Sequence, residues 1–351
     1  MFLSPNRPFP PAQTEYEANT QQFCRAWLSG QETFILHTSG STGAPKPIAL
    51  TRAQMRASAQ LTRQALGLQA GDSALVCLNT QYIAGTMMLV RGLELALPMT
   101  IVEPGSNPLT HPEVAGNSFA FTALVPLQLQ TIMTETPEKK AILDGMKAIL
   151  VGGAATSPAL EKLIQSITAP VYATYGMTET VSHIALRRLN GPTASDLFNA
   201  LPGVDLGTDE RGCLHITSAA TNFERVQTND VVDLLDATQF RLLGRADSVI
   251  NSGGVKVQPE PIERLIQTYL AEQSRSPRLF IAGLPDDRLG QRVVLVLEGL
   301  LLTDSQWATI QQTVRATLGP YSVPKAWHSV DVFSETPTGK IDRRATIDQI
   351  R

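Results

Sequence analysis

Between residues 33 and 174, short apolar runs alternate with stretches of helical character, and no other feature limits the fold as strongly. Runs at 33–37, 73–78, 99–102, 119–122, 148–151 and 171–174 read as strands. Helices fit between them. Thr51 can cap one, with Gln54 completing a capping box and Gly67 as its stop. Residues 83–95 form another, and Ser157 followed by Pro158 opens a third, because proline suits the first helical position. Strand and helix in turn predict α/β layers. The lead-in, with Pro5, Pro8, Pro10 and Pro11, reads as extended chain followed by a short helix around 17–28.

Residues 200–243 change character. Short β-type runs there, separated by Gly, Asn and Asp, predict a small β-subdomain. Next, Ile250 and Val255 flank a turn at Ser252-Gly253-Gly254, like a hairpin. A helix from about Glu260, strands at 279–282 and 293–297, a helix capped by Asp304 and a polar tail follow. A boundary at 245–248 divides the chain into a large N-terminal domain, 1–245, and a smaller α+β C-terminal domain, 246–351. A length of 351 residues suits that division.

A net charge of -3 gives no basic field for nucleic acid. Cys24, Cys77 and Cys213 stand far apart without CxxC spacing, which argues against a disulfide framework or a zinc site and fits a reducing compartment. No signal-peptide pattern and no apolar run of membrane-spanning length is visible, so the expectation is a cytoplasmic protein.

TSGSTGAPK, residues 38–46, has the makings of a phosphate loop. Gly40 and Gly43 let the backbone approach an anion, Ser39, Ser41 and Thr42 add donors with Thr38, and Lys46 adds a point charge. It is not a Walker loop. Lys46 lies between Pro45 and Pro47, with no Gly-Lys-Ser/Thr ending, and the prolines bias Ala44 and Lys46 away from helix. By composition alone a flexible surface turn is about as good a reading.

Taken whole, TSGSTGAPK resembles the phosphate loop of the adenylate-forming superfamily of acyl-CoA synthetases, luciferases and peptide-synthetase adenylation domains. Further segments resemble that family's motifs in order. YGMTET, 175–180, is similar to its second signature. The resemblance implies that Thr178 contacts the α-phosphate, Glu179 binds magnesium and Tyr175, followed by Gly176, stacks near adenine. A carboxylate is a hard oxygen ligand suited to Mg2+ beside a triphosphate. Gly153-Ala154-Ala155 resembles the segment lying against adenine. Thr228-Asn229-Asp230 is similar to the family's TGD, with Asn229 in place of the usual Gly, and implies that Asp230 binds the ribose. Gly244-Arg245-Ala246-Asp247 resembles GRxD, which makes Arg245 a nucleotide contact and Asp247 a hinge for a mobile C-terminal domain. The resemblance also implies that the Gly253-Gly254 turn admits a pantetheine arm and that Lys340, in a segment similar to the family's PTGKI, bridges the carboxylate and phosphates. The resemblance runs from about residue 30 to 345. Family members carry a longer segment ahead of the loop, so part of the N-terminal domain is expected to be absent.

For the acid, Tyr82-Ile83-Ala84-Gly85 takes the place of a family segment beside the acyl pocket, and Ser182-His183 follows YGMTET directly. Together with INSGGVK these resemble compact o-succinylbenzoate–CoA ligases of menaquinone synthesis. Such a diacid needs donors or positive charge in its pocket. Tyr82, Gly85, Ser182 and His183 are the candidates, although His183 serves equally well as a structural histidine. Arg91 is a weaker candidate and reads as a helix-surface residue. The implied reactants are a small carboxylic acid, ATP with Mg2+, and CoA as co-substrate. Open alternatives are another aryl- or acyl-CoA ligase, an enzyme loading a carrier protein, or a non-catalytic nucleotide-binding homologue. A homodimer also stays open.

Overall fold

The structure, a computed structural model, describes residues 1–4, 7–37, 47–336 and 341–350. Strand β1 (Phe2–Leu3) is followed by helix α1 (Glu15–Leu28), the antiparallel pair β2 (Thr33–His37) and β3 (Pro47–Thr51), and α2 (Arg52–Leu66). Then come β4 (Ala74–Val76), α3 (Ile83–Glu94), β5 (Met99–Ile101), β6 (Phe121–Leu124), α4 (Pro126–Glu135), α5 (Lys140–Asp144), β7 (Ala148–Val151), α6 (Pro158–Ile164) and β8 (Val171–Gly176). Strands β9 (His183–Arg188), β10 (Phe198–Ala200), β11 (Asp205–Thr208), β12 (Cys213–Thr217), β13 (Val226–Leu234) and β14 (Gln239–Arg245) complete this part.

Local sequence explains several element ends. The Thr51 hydroxyl accepts from the Gln54 amide while the Gln54 side chain accepts from the Thr51 N–H, and Gly67 ends α2 with φ 65°. Ser157 caps α6 with Pro158 in its first turn. Thr14 caps α1 the same way.

Among the described residues twelve strands form one sheet, in the order β1-β5-β4-β6-β7-β8-β9-β10-β14-β13-β12-β11. From β5 to β8 neighbouring strands are parallel; from β8 onward the pairing is antiparallel. The β-rich stretch therefore joins the α/β layers edge to edge through β9 and β10. At the other edge the lead-in adds β1 to β5. The parallel strands are covered on both faces, as their unbroken apolar runs require: Leu75, Val76, Phe121 and Ile149 are fully buried. Each such side chain contributes about 1.5–3 kcal/mol.

A second, smaller core matters more for the site. Trp27 of α1, Phe34, Leu36 and Leu50 of the β2–β3 pair, Met55 and Ala59 of α2, Met87 and Val90 of α3, and Val181 pack together. It ties the flanks of residues 38–46 to α3 and to the turn after YGMTET.

Beyond Arg245 the chain enters another sheet with its own core. Its elements are β15 (Ile250–Ser252), β16 (Val255–Val257), α7 (Pro259–Glu272), β17 (Leu279–Asp286), β18 (Gly290–Glu298), α8 (Asp304–Leu318), β19 (Ala326–Val330) and α9 (Arg343–Ile347). The strand order is β16-β15-β18-β17, with β19 parallel to β18. Ile262, Ile266, Ile310 and Val314 of the two long helices cover one side of this sheet. The large α/β part and the smaller α+β part with its own sheet are the fold class the sequence predicts. The two parts meet where Arg264 of α7 donates to Glu161 of α6 at 2.7 Å. No described helix is long and apolar enough to cross a membrane.

Candidate functional site

Eight of the candidate site residues lie outside the described ones: Thr38, Ser39, Gly40, Ser41, Thr42, Gly43 and Lys46 of the loop, and Lys340 of PTGKI. The flanks of the loop are described. His37 pairs with Pro47 in the β2–β3 register, so both ends of the segment leave from the same point.

The carboxyl ends of β7 and β8 carry two more of the segments. Gly153, Ala154 and Ala155 are exposed just after β7. A Cβ on the preceding Gly152 would overlap Thr174 Oγ1, so a larger residue here would have to displace the Thr174 side chain. After β8, residues Thr178–Thr180 make a single turn that leaves Glu179 exposed and Thr178 buried. Among the described residues the Glu179 carboxylate has no hydrogen-bond or ion-pair partner.

This turn ends in strain. Val181 has φ 65° and ψ -56°, a region that a β-branched side chain enters only under constraint. The constraint is visible. Val181 is 0% exposed in the second core, which holds its side chain while the backbone reverses. Thr180 Oγ1 accepts from Met177 N at 3.0 Å, closing the turn from within. The reversal starts β9, which returns antiparallel to β8 so closely that a Cβ on Gly176 would lie 2.2 Å from the Ser182 carbonyl. Gly176 therefore has a packing role of its own.

Tyr175 is buried, with its ring against Phe198 and Phe240, and its hydroxyl donates to Asp230 Oδ2 at 2.6 Å. Burial and the neighbouring carboxylate both push the phenol's pKa up. The adenine-stacking role expected of Tyr175 thus sits beside a contact the structure does define, that of organising Asp230. Asp230 also faces Arg245 across the β13–β14 pair, with Arg245 Nη1 at 3.1 Å from its Oδ1. The same guanidinium grips Asp247 with two bonds, 2.9 and 2.7 Å long. The Arg245 contacts hold the Asp247 carboxyl below its ordinary range. So the TGD-like and GRxD-like segments form one chain of charge, Asp230–Arg245–Asp247. The Asn229 substitution leaves it intact, since Asn229 O accepts from Ala246 N at 2.7 Å.

Gly253 and Gly254 make a two-residue turn with φ 61° and 81°, between Ser252 and its partner Val255. Positive φ at both positions is the hairpin geometry that glycine allows. Gly253 N donates to Leu289 O in the turn between β17 and β18.

The largest departure from the sequence reading is Arg91. It was expected on a helix surface and is 1% exposed. Every residue from Gly85 to Gly92 is buried, because α3 is covered on all sides. Its Nε–H donates to Thr62 Oγ1 at 3.1 Å and Nη2 to Ser182 Oγ at 2.8 Å, with His183 Nδ1 at 3.5 Å. Among the described residues Nη1 has only the Met88 sulfur, 3.9 Å away, a weak acceptor. Among the described residues no carboxylate pairs with Arg91. Burial draws its pKa down to about 9, which still leaves it cationic near neutral pH. A signal was present in the sequence: one arginine within GTMMLVRG, a run otherwise of small and apolar residues. Ser182 and His183, candidates for the acid pocket, are among the groups it touches.

Tyr82 is half-buried at the start of α3. Gly85 is needed for a different reason than pocket shape, since its Cβ would lie 2.2 Å from Asn79 O. Gly85→Ala is expected to cost about 1–3 kcal/mol of stability through this overlap, read as a lower urea midpoint. An unchanged midpoint with a changed acid preference would instead assign Gly85 to the pocket wall.

The sequence pattern of the family described as AMP-binding enzyme matches residues 7–203. A probable 2-succinylbenzoate–CoA ligase of Mycobacterium tuberculosis is 30% identical, over 89% of this chain and 83% of that protein. The 2-succinylbenzoate–CoA ligase of Escherichia coli is 27% identical, over 88% and 67%. Among solved structures, an acyl-CoA synthetase (AMP-forming)/AMP-acid ligase II-like protein from Dyadobacter fermentans is 43% identical with a TM-score of 0.67, covering 100% of this chain and 99% of that one. The o-succinylbenzoate coenzyme A synthetase of Bacillus subtilis, solved with ATP and magnesium ion, has a TM-score of 0.73 at 20% identity, over 90% and 69% of the two chains, a likeness of fold.

Proposed function

The chain belongs to the AMP-binding enzyme family, and within it we propose an AMP-forming ligase that joins o-succinylbenzoate to CoA. The observation that carries the choice of acid is Arg91. A buried guanidinium without a carboxylate is costly, and an enzyme keeps one where a ligand supplies the counter-charge. Nη1 faces no oxygen acceptor among the described residues, and its neighbours Ser182 and His183 adjoin the turn that carries Thr178 and Glu179. A diacid puts one carboxylate on Arg91 and leaves the other for reaction. The names of the bacterial relatives support the same acid.

The reaction has two steps. The substrate carboxylate attacks the α-phosphorus of ATP and pyrophosphate leaves, giving the acyl-adenylate. The CoA thiol then attacks the acyl carbon and AMP leaves. The loop 38–46 holds the outgoing phosphates, Asp230 the ribose, and Lys340 stabilises charge at the reacting phosphate. The Tyr175 and Arg245 contacts hold the Asp230 carboxylate in place. Glu179, with no partner among the described residues, fits a hard cation such as Mg2+, which offsets the triphosphate charge when bound. The 246–351 part turns about Asp247 between the steps and brings Gly253-Gly254 to the pantetheine. ATP and CoA place the work in the cytoplasm.

The test is pyrophosphate release with ATP across a panel of acids, with and without CoA. Strong turnover of o-succinylbenzoate, with weak turnover of its analogue lacking the ring carboxylate, is expected. Preference for a fatty or simple aryl acid would remove the diacid. Adenylate formation without transfer to free CoA would favour a carrier protein as acceptor.

A further inference from the structure

The contacts around Arg91 can be followed proton by proton. Thr62, on α2, has one hydroxyl proton, and the Ser58 carbonyl is at 3.1 Å to take it. The Thr62 oxygen then accepts twice: from Arg91 Nε–H at 3.1 Å and from His183 Nε2 at 3.2 Å. The second bond requires a hydrogen on Nε2. At the other end of the ring, Nδ1 faces Arg91 Nη2 at 3.5 Å and Ser182 Oγ at 3.4 Å. Arg91 has only donors, so Nδ1 must offer a lone pair. Both ends of the imidazole point to the same neutral tautomer. A second proton would set a cation against a guanidinium in a buried site, and burial together with Arg91 holds the His183 pKa well below the ordinary value. Arg91 of α3 is the one charged side chain among the described contacts of the ring; Thr62 of α2 and Ser182, at the entry to β9, are its polar neighbours.

We propose that Thr62 and His183 are positioning residues for acid selection, which hold the Arg91 guanidinium in one orientation so that its Nη1 side is left for the substrate's second carboxylate. The inference rests on the diacid reading and adds to it two residues, one of them in a helix that carries no motif. A guanidinium on a long side chain has many orientations, and a carboxylate recognises one. Thr62 fixes Nε, while His183 and Ser182 fix Nη2, so the third edge is presented without reordering when the acid arrives. Neutral His183 is essential, because a charged ring would repel Arg91 and would have no lone pair at Nδ1 to accept from it.

The experiment pairs substitutions with two acids, o-succinylbenzoate and 4-oxo-4-phenylbutanoate, which lacks the ring carboxylate. Thr62→Val keeps the volume and removes the hydroxyl. It is expected to raise KM for the diacid about tenfold while kcat, KM for ATP and KM for the monoacid change little. Thr62→Ser restores the diacid KM. Nitrogen-15 NMR of the histidines is expected to show one ring as the Nε2–H tautomer, neutral across the range where a free imidazole titrates, and lost in His183→Gln. Equal loss with both acids, or an unchanged diacid KM, overturns the positioning role, as does an Nδ1–H ring. A wild-type enzyme inactive on the diacid but active on other acids rejects the substrate reading itself, and the inference with it.

Discussion

Lys340→Ala is expected to slow acyl-adenylate formation by roughly 10²–10³-fold or more, the scale for removing one preorganised charge stabiliser. Attack of the carboxylate on the α-phosphorus gathers negative charge on the phosphate oxygens. An ammonium aimed there lowers the barrier only while water is excluded. The thioester step breaks the bond between acyl carbon and AMP and has no such need at this position. CoA attack on supplied acyl-adenylate should therefore run at nearly the wild-type rate. Single-turnover measurement of the two half-reactions checks this. Equal loss in both would mean that Lys340 holds the enzyme together or acts throughout, and would end its role as a residue exchanged between steps. The value of the experiment is that Lys340 follows a hinge-like segment: the Arg245–Asp247 pair, with bonds of 2.9 and 2.7 Å, marks where the chain leaves one sheet for the other.

Arg91→Met should show the second largest effect, with opposite signs in activity and stability. Methionine keeps most of the length and apolar stem, and Met88 and the surrounding α3 residues already pack in this place. Loss of the charge removes a charge-assisted bond to the diacid's ring carboxylate, so kcat/KM for o-succinylbenzoate should fall about 10²-fold, while the monoacid is affected little. Stability should not fall. A buried cation with no carboxylate partner among the described residues opposes folding, and its replacement by an apolar chain should raise the unfolding free energy by about 1 kcal/mol or more. Denaturant unfolding of the apo protein beside initial rates with the two acids measures both. A destabilised variant that loses both acids alike would make Arg91 a structural residue.

The local features of this chain were legible because their causes are local. The Thr51–Gln54 box, the left-handed Gly67 and the Ser157-Pro158 start depend on residues within a few positions, so the letters alone specify them. The same holds for the Gly253-Gly254 turn, where a short hairpin demands positive φ. The α/β layering followed from alternation, and the motif segments could be read in order. Not legible were β9, the β1–β5 pairing at the sheet edge, and the joining of the β-rich stretch to the large sheet. The last two depend on partners far along the chain, β5 for β1 and β14 for β10, whereas β9 pairs with its neighbour β8 after the reversal at Val181.

The cluster proposed to bind the acid divides along the same line. Sequence by itself determined the family resemblance, the order of the nucleotide segments and the choice of Ser182 and His183 as candidates. Tertiary structure alone decided what those two residues touch. Thr62, Arg91 and His183 come from α2, α3 and β9, and they meet because the second core packs those helices against a turn in which Val181 is held at φ 65°. A charged letter in a helix reads as surface until its neighbours in space are known. Burial is a property of what covers a residue, and here the cover on Arg91 is supplied by segments up to 92 positions away.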